Sequence, residues 1–190
     1  MSKKISLINE YLNETKKIHH LIDQDQFSLA IETIEKTINE GKNFFTMGNG
    51  GSAHTASHYI TDWNKIINVA LNIPVRGICL SDNTGIITAY ANDVNYNHIF
   101  EGQLRSLLNE GDLVIGISGS GNSMNVINAI KYANLNKANT LAIVGFDGGK
   151  LIKEAKQSLL VPSFDMQICE DMHLLFGHVV MKYLSNLSIS

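Results

Sequence analysis

The stretch KNFFTMGNGGSAHTASHYITD, residues 42–62, decides the fold class. Residues 42–47 form a compact apolar run, which is typical of a short buried strand. A glycine-rich turn follows, and a helix is predicted from about Ser52. A buried strand that passes through a tight turn into a helix is the repeating unit of a parallel α/β sheet.

The same pattern recurs along the rest of the chain. Further strands are predicted at VRGICLS (75–81), DLVIGIS (112–118), TLAIVGF (140–146) and, more weakly, SLLVPS (158–163). Helical segments fill the gaps at about 83–91, 95–109, 122–136, 148–155 and 165–187. Strands that are apolar on both faces and alternate with helices indicate a parallel sheet covered on each side. With right-handed crossovers, the prediction is a three-layer α/β/α sandwich around a five-stranded parallel sheet in flavodoxin-like order.

Two helices are predicted before the first strand. Apolar residues recur at helical spacing through the first 22 residues, and a second helix is predicted from about Gln24 to Glu40. Gly41 suits the C-terminal cap of this helix. A length of 190 residues fits one domain with a substantial core. We therefore expect a single domain over 1–190, with an N-terminal helical hairpin (1–41) and an α/β core (42–190).

The composition restricts the partners and the cellular setting. Fifteen Lys and Arg residues against 18 Asp and Glu residues give a net charge of −3. This balance offers no electrostatic reason to expect nucleic acid or an anionic membrane. The two cysteines are too few for a disulfide framework. The charged N-terminus lacks the apolar core of a signal peptide, and no run approaches the length of a membrane span. We expect a soluble, cytoplasmic protein.

Two loops have the composition of phosphate-binding turns. Residues 47–52, MGNGGS, and residues 118–123, SGSGNS, each end a predicted strand and begin a predicted helix. Ligands of open α/β sheets bind beyond the carboxyl ends of the strands. Glycines let the backbone approach an anion, and a helix N-terminus supplies N–H groups with partial positive charge.

Three interpretations of these loops compete. They could be tight turns with serine caps and no ligand. Gly48, Gly50 and Ala53 also fit the dinucleotide motif G-x-G-x-x-A, but that motif needs an acidic residue about 20 positions on. The region near Asn72 offers none, and Asp82 comes too late. No Gly-Lys-Ser/Thr occurs, which excludes a Walker loop. A small phosphomonoester remains the favoured ligand.

Histidines and carboxylates at helical spacing indicate a candidate metal site. His58 and Asp62 share a helix face at i, i+4, while Glu170 and His178 lie two turns apart on the last helix, about 12 Å along its axis. Two imidazoles and two carboxylates suit zinc or a similar divalent metal. The alternative is that these groups, with the neighbouring residues 171 and 173, are solvated on exposed helix faces.

Together these segments resemble a known family. GNGGS (48–52) with a following histidine and carboxylate, ANDVNYNHIF (91–100), GISGSGNSMNV (116–126) and the HLLFGH of the last helix (173–178) are similar to the sugar isomerase (SIS) domain, and within it to the phosphoheptose isomerases. The resemblance spans essentially the whole chain. It implies an aldose–ketose isomerase that converts sedoheptulose 7-phosphate to a D-glycero-heptose 7-phosphate for lipopolysaccharide or capsule synthesis. It also implies a homotetramer with one zinc ion per chain.

The resemblance assigns roles residue by residue. The implied substrate-binding residues are Asn49, Gly50, Gly51, Ser52, Asn92, Asp93, Ser118, Gly119, Ser120, Ser123 and Glu170. The implied zinc ligands are His58, Asp62, Glu170 and His178. The implied catalytic residues are Asp62 as the base and His178 as the acid.

Three positions depart from the family pattern. The family typically has Glu where this chain has Asp62, Gln where it has Glu170, and often Thr where it has Gly119. A shorter carboxylate at 62 is withdrawn from the substrate, and a new carboxylate at 170 offers a second candidate base. Two alternatives stay open: a non-catalytic SIS regulator similar to the one that binds the replication initiator, and an isomerase or epimerase of another phosphosugar.

Overall fold

A computed structural model describes residues 2–187 as an α/β structure around one parallel sheet. The strands are β1 (Asn43–Met47), β2 (Arg76–Cys79), β3 (Leu113–Ser118), β4 (Asn139–Val144) and β5 (Gln157–Leu160). All neighbouring strands pair in parallel in the order β2-β1-β3-β4-β5. The predicted five-stranded sheet and its flavodoxin-like order are confirmed.

Nine α-helices occur in the described part of the chain. They are α1 (Lys3–Leu21), α2 (Gln24–Asn39), α3 (Gly51–Asp62), α4 (Asn68–Leu71), α5 (Thr84–Asp93), α6 (Glu101–Leu107), α7 (Met124–Leu135), α8 (Leu151–Glu154) and α9 (Met166–Asn186). A π-helical turn (Trp63–Ile67) joins α3 to α4, and a 3₁₀ turn (Tyr96–His98) precedes α6. Among residues 2–187, no helix is long and apolar enough to cross a bilayer.

The strands bury side chains on both faces, which produces the three layers. Phe44 packs with α2, α3 and α9 on one face, while its neighbour Phe45 packs with α6 and α7 on the other. Ile115 and Val114 of β3 divide between the two faces in the same way. This alternation of successive side chains follows from strand geometry, and burial on both faces explains the continuous apolar runs in the sequence.

The two N-terminal helices differ in how they pack. Asp23 caps α2 by accepting from the N–H groups at 25 and 26, and Gly41 follows the helix with a φ of +64°. Side chains of α2, such as Ile34, are buried against the sheet. By contrast α1 buries only Ile18, and its Tyr11 hydroxyl donates to Asp171 of α9 at 2.7 Å.

The structure corrects one predicted helix. The sequence pattern predicted a helix over 95–109, but α6 covers only Glu101–Leu107. Asn95 is extended, with a φ of 177°, and its side chain caps the N–H of Asn97 at 2.7 Å. Asparagine side chains compete in this way with helical backbone bonds, so the segment begins with a separate 3₁₀ turn.

The two glycine-rich loops follow adjacent strands, β1 and β3. The chain leaves β1 toward β2 on one side, and β3 lies on the other side of β1. Such a reversal of strand order opens a crevice at the carboxyl ends of the strands, where α/β proteins bind ligands. The topology therefore brings residues 48–52 and 118–123 to the same place.

Candidate active site

The first loop joins β1 to α3 and is fixed to the end of β2. Gly48 donates its N–H to Ser81 Oγ at 3.2 Å, and Ser81 Oγ donates to the Gly48 carbonyl at 3.0 Å. Gly50 then adopts a φ of +55°, a left-handed conformation that glycine enters without steric cost. No side chain caps α3. Its first turn thus offers N–H groups and partial positive charge at the open end of the sheet.

The second loop joins β3 to α7, and the segment that follows β4 holds it in place. Gly145 and Leu151 donate their N–H groups to the carbonyls of Gly119 and Gly121 at 3.0 and 2.9 Å. These carbonyl oxygens are therefore engaged as acceptors. The serine hydroxyls and the uncapped start of α7 remain as the loop's potential donors to a ligand.

The two loops line one cleft that encloses about 290 Å³. Its lining includes nine of the predicted residues, namely Asn49, Gly50, Gly51, Ser52, Ser118, Gly119, Ser120, Ser123 and Glu170. Ile117 and Met166 complete it. No lysine or arginine occurs among these lining residues. An anion here would be bound by hydroxyls, amides and two helix N-termini, and the volume lies at the lower end of ligand pockets.

Glu170 of α9 carries the only charge among the residues that line the cleft. A Cβ placed on Gly51 would lie 2.2 Å from Glu170 Oε1. The carboxylate therefore packs against the first residue of α3, and a larger side chain at position 51 would displace it. Glu170 is thus placed beside the predicted phosphate loops.

A second group of polar side chains lies where α3 faces α9. His58 Nε2 lies 3.0 Å from His178 Nε2 and 3.3 Å from Asp62 Oδ2, and His178 Nε2 lies 3.8 Å from the same Asp62 oxygen. One donor atom from each of the three residues lies within 4.8 Å of the others. The structure thus brings together three of the four predicted zinc ligands and leaves Glu170 outside that mutual distance.

Close packing of α3 on α9 explains why these side chains meet. Trp63 donates its ring N–H to the Gly177 carbonyl at 3.0 Å, and the Tyr59 hydroxyl donates to the His173 carbonyl. A Cβ on Gly177 would lie 2.2 Å from the Tyr59 ring. Glycine at 177 therefore lets the helices approach until His178, the next residue, reaches His58.

The chemistry of the three donors fits zinc. Donor atoms around a tetrahedral zinc ion, with bonds of about 2.0–2.1 Å to nitrogen, lie about 3.3 Å apart. The three observed separations of 3.0, 3.3 and 3.8 Å bracket that value. Two imidazoles and one carboxylate also form the ligand set of open catalytic zinc sites.

Asn92 and Asp93 do not line the cleft. Both are exposed at the end of α5, where Asn92 Nδ2 donates to Asp93 Oδ1 at 2.8 Å. Neither residue is among those that line the cleft with the other predicted substrate-binding residues.

His173 is buried instead of being solvated. Its side chain is fully enclosed, and neither ring nitrogen has a hydrogen-bond partner among the described residues. Burial lowers the pKa of His173 to about 4. The residue is thus held neutral beneath the site.

Sequence reasoning missed four residues at the cleft. Ser81 fixes the first loop, and Met166 lines the wall. Asn125 and Tyr96 form hydrogen bonds to Asn49. Asn125 and Tyr96 lie inside segments 116–126 and 91–100, which carry the family resemblance, but the sequence predicted no role for either residue.

Comparisons with known proteins agree with this geometry. The sequence profile described as the SIS domain matches residues 10–145. The phosphoheptose isomerase of Aliarcobacter butzleri is 36% identical over 186 residues, which cover 96% of this chain and 97% of that protein. The one from Helicobacter pylori strain P12 is 40% identical over 155 residues, covering 80% of this chain and 77% of that protein. The structure of phosphoheptose isomerase GmhA from Neisseria gonorrhoeae superposes with a TM-score of 0.88 at 27% identity, covering 96% of this chain and 98% of that one.

Proposed function

The chain belongs to the SIS domain family, and from that premise we propose that it is an aldose–ketose isomerase of sedoheptulose 7-phosphate, forming a D-glycero-heptose 7-phosphate. One observation carries the proposal. Helices α3 and α9 contribute residues both to the cleft between the two phosphate-type loops and to the cluster of two imidazoles and one carboxylate. The product would supply heptose for lipopolysaccharide or capsule. The chain would act as a single domain over 1–190.

The cleft would bind the phosphate end of the sugar. Serine hydroxyls from residues 118–123 and the N-termini of α3 and α7 would donate to the phosphate oxygens. Binding energy collected at the phosphate would align the reacting carbons, which lie at the other end of the sugar.

The reacting end of the sugar would lie toward the cluster. Aldose–ketose exchange moves a proton between adjacent carbons through an enediol, so it needs a carboxylate base and an acid near the carbonyl oxygen. His178 would donate to that oxygen. Asp62 would take and return the carbon-bound proton, or Glu170 would do so from the cleft side.

His58, Asp62 and His178 would hold one zinc ion per chain, whereas Glu170, the fourth ligand that the resemblance implies, lies outside this group and packs against Gly51. When bound, zinc would polarise the sugar oxygens and stabilise negative charge on them. If Asp62 is occupied as a ligand, its lone pairs are less available to act as a base. This competition favours testing Glu170 as the proton carrier.

The outer face of α1 supports the proposal of a homotetramer. Ile5, Leu7, Ile8 and Leu12 are between 49% and 67% exposed. A run of apolar side chains on one helix would be covered if α1 packed against copies of itself in other subunits. Light scattering behind size-exclusion chromatography should give four times the chain mass, and Leu12→Glu should reduce it.

The assignment of the base can be tested with matched amide substitutions. Asp62→Asn, Glu170→Gln and, as control, Asp171→Asn each remove one carboxylate charge at nearly constant volume. Asp171 neighbours Glu170 but contacts Tyr11, so its variant should retain activity. Conversion of sedoheptulose 7-phosphate by the wild type, followed by NMR, tests the function itself. A variant that keeps the zinc content of the wild type but falls by about a hundredfold or more in kcat identifies the base, and activity retained in both would remove both from that role.

A further inference from the structure

Asn49 of the first loop is held by a network that crosses to the second loop. Asn49 Nδ2 donates to Asn125 Oδ1 at 3.0 Å, and Asn125 Nδ2 donates back to Asn49 Oδ1 at 2.8 Å. The Tyr96 hydroxyl donates to the same Asn49 oxygen at 2.8 Å. The two asparagines are 76 positions apart, and the pair ties residues 47–52 to the start of α7.

The network determines which way each amide points. Asn125 Oδ1 also accepts the N–H of Val126 at 3.0 Å, so the oxygen and nitrogen of Asn125 cannot exchange places without losing that bond. Asn49 must then present its nitrogen to Asn125 Oδ1. Its own oxygen accepts from both Asn125 and Tyr96, which uses both lone pairs.

This arrangement leaves Asn49 with one N–H that no partner in the network uses. Asn49 lines the cleft, whereas Asn125 is only 2% exposed. Tyr96 is kept in place because its 3₁₀ turn is anchored to α7, where Asn128 Nδ2 donates to the Asn97 carbonyl at 3.1 Å. The partners that hold Asn49 are thus a buried amide and an anchored hydroxyl.

We propose that Asn125 and Tyr96 are positioning residues that hold Asn49 as a donor to an oxygen of the bound sugar phosphate. The inference rests on the proposed function for the identity of the ligand. Neither residue needs to touch the substrate, because each acts through Asn49. The same contacts keep the two phosphate loops at a fixed separation, so the donor and the serine hydroxyls face one ligand together.

A double-mutant cycle separates this role from a merely structural one. Asn125→Ser, Tyr96→Phe and Asn49→Ala are made singly, and the first two are also made in the Asn49→Ala background. Asn134→Ser serves as control because Asn134 lies on the same helix and also uses both ends of its amide, with Glu154 and Thr140. Tyr90→Phe is the second control, since its hydroxyl bonds to the Gly102 carbonyl.

The expected result is a rise in KM for sedoheptulose 7-phosphate of about tenfold or more in Asn125→Ser and about threefold in Tyr96→Phe, which loses one bond. The value of kcat should change by less than about threefold. Both effects should vanish once Asn49 is alanine, and both controls should behave as the wild type. Tyr96 is exposed, so its variant folds even if Asn125→Ser is unstable.

Two outcomes overturn the proposal. One is an unchanged KM in Tyr96→Phe and in a folded Asn125→Ser. The other is a full effect of either change in the Asn49→Ala background, since a residue that acts through Asn49 cannot act in its absence. If the wild type fails to isomerise the sugar, the proposed function fails separately. The cycle is then measured by calorimetry with inorganic phosphate. Weaker phosphate binding by Asn125→Ser and Tyr96→Phe only when Asn49 is present supports the network, and phosphate binding equal to that of the wild type in both variants refutes it.

Discussion

Replacing the buried His173 by leucine should make the protein less sensitive to acid. In the unfolded wild-type chain, His173 has an ordinary histidine pKa of about 6.5. In the folded chain, burial lowers the pKa of His173 to about 4, so the folded protein takes up this proton only at a much lower pH. The unfolded state therefore binds more protons between these values, and stability is lost as the pH falls through that window. The full effect below both pKa values is about 3 kcal/mol, of which about 2 kcal/mol develops between pH 7 and pH 5.

The assay is urea unfolding at pH 7, 6 and 5, with chelator present and protein concentration fixed. The free energy of unfolding of His173→Leu minus that of the wild type should rise by about 2 kcal/mol between pH 7 and pH 5. His20→Leu is the control because His20 is exposed on α1. The contributions of the other titrating groups to the pH dependence cancel when the variant is compared with the wild type. A His173→Leu protein with the same pH dependence as the wild type would refute the argument that this side chain is buried and neutral.

Three further predictions concern the cleft and the cluster. Gly119→Ala places a Cβ 2.2 Å from Met166 Sδ, so the KM should rise about tenfold or more. Adding Met166→Ala should return the KM most of the way to the wild-type value, and no recovery in steady-state assays would contradict this contact. Gly121→Ala, with φ at +64° and a backbone oxygen 2.0 Å from the new Cβ, should lower the Tm by about 5–10 °C, whereas Gly85→Ala should shift it by less than about 2 °C in calorimetry. Removal of metal by chelator should abolish isomerisation and added zinc should restore it, while His58→Ala should reduce zinc content by elemental analysis; activity that persists in metal-free protein would exclude the metal's proposed role.

Much of the fold could be predicted because its determinants are local. Apolar runs such as 112–118 are buried on both faces, and glycine turns such as 48–51 end the strands where the spacing places them. The predicted helix boundary was wrong where a side chain competes with the backbone for hydrogen bonds. At Asn95 a side-chain cap replaces the helical bond that the pattern predicted.

The candidate site was only partly predictable because its contacts join distant parts of the chain. Spacing placed His58 beside Asp62 on one helix, and the structure adds His178 to them. Spacing along α9 does not determine where a long side chain such as Glu170 points, and here it packs against Gly51. The Asn49–Asn125 pair depends on the order of the strands, so no local pattern reveals it.

The burial of His173 shows a signal that could have been used. Cys169, Phe176, Val180 and Leu184 recur with His173 at intervals of three and four residues, and all of them are buried. That stripe is the core-facing side of α9. Because histidine is polar, composition suggests solvent exposure, but its position in the apolar period indicates burial.

The most direct test of the central claim is solvent exchange during turnover. Sedoheptulose 7-phosphate is incubated in D₂O with the zinc-loaded wild type and followed by NMR, with the Asn134→Ser variant as a positive control and chelated protein as a negative one. An isomerase that works through an enediol should form the aldoheptose 7-phosphate and incorporate deuterium at C1 of the remaining ketose. If no aldose forms and no deuterium enters C1 while the protein is folded and loaded with zinc, the chain does not catalyse this isomerisation.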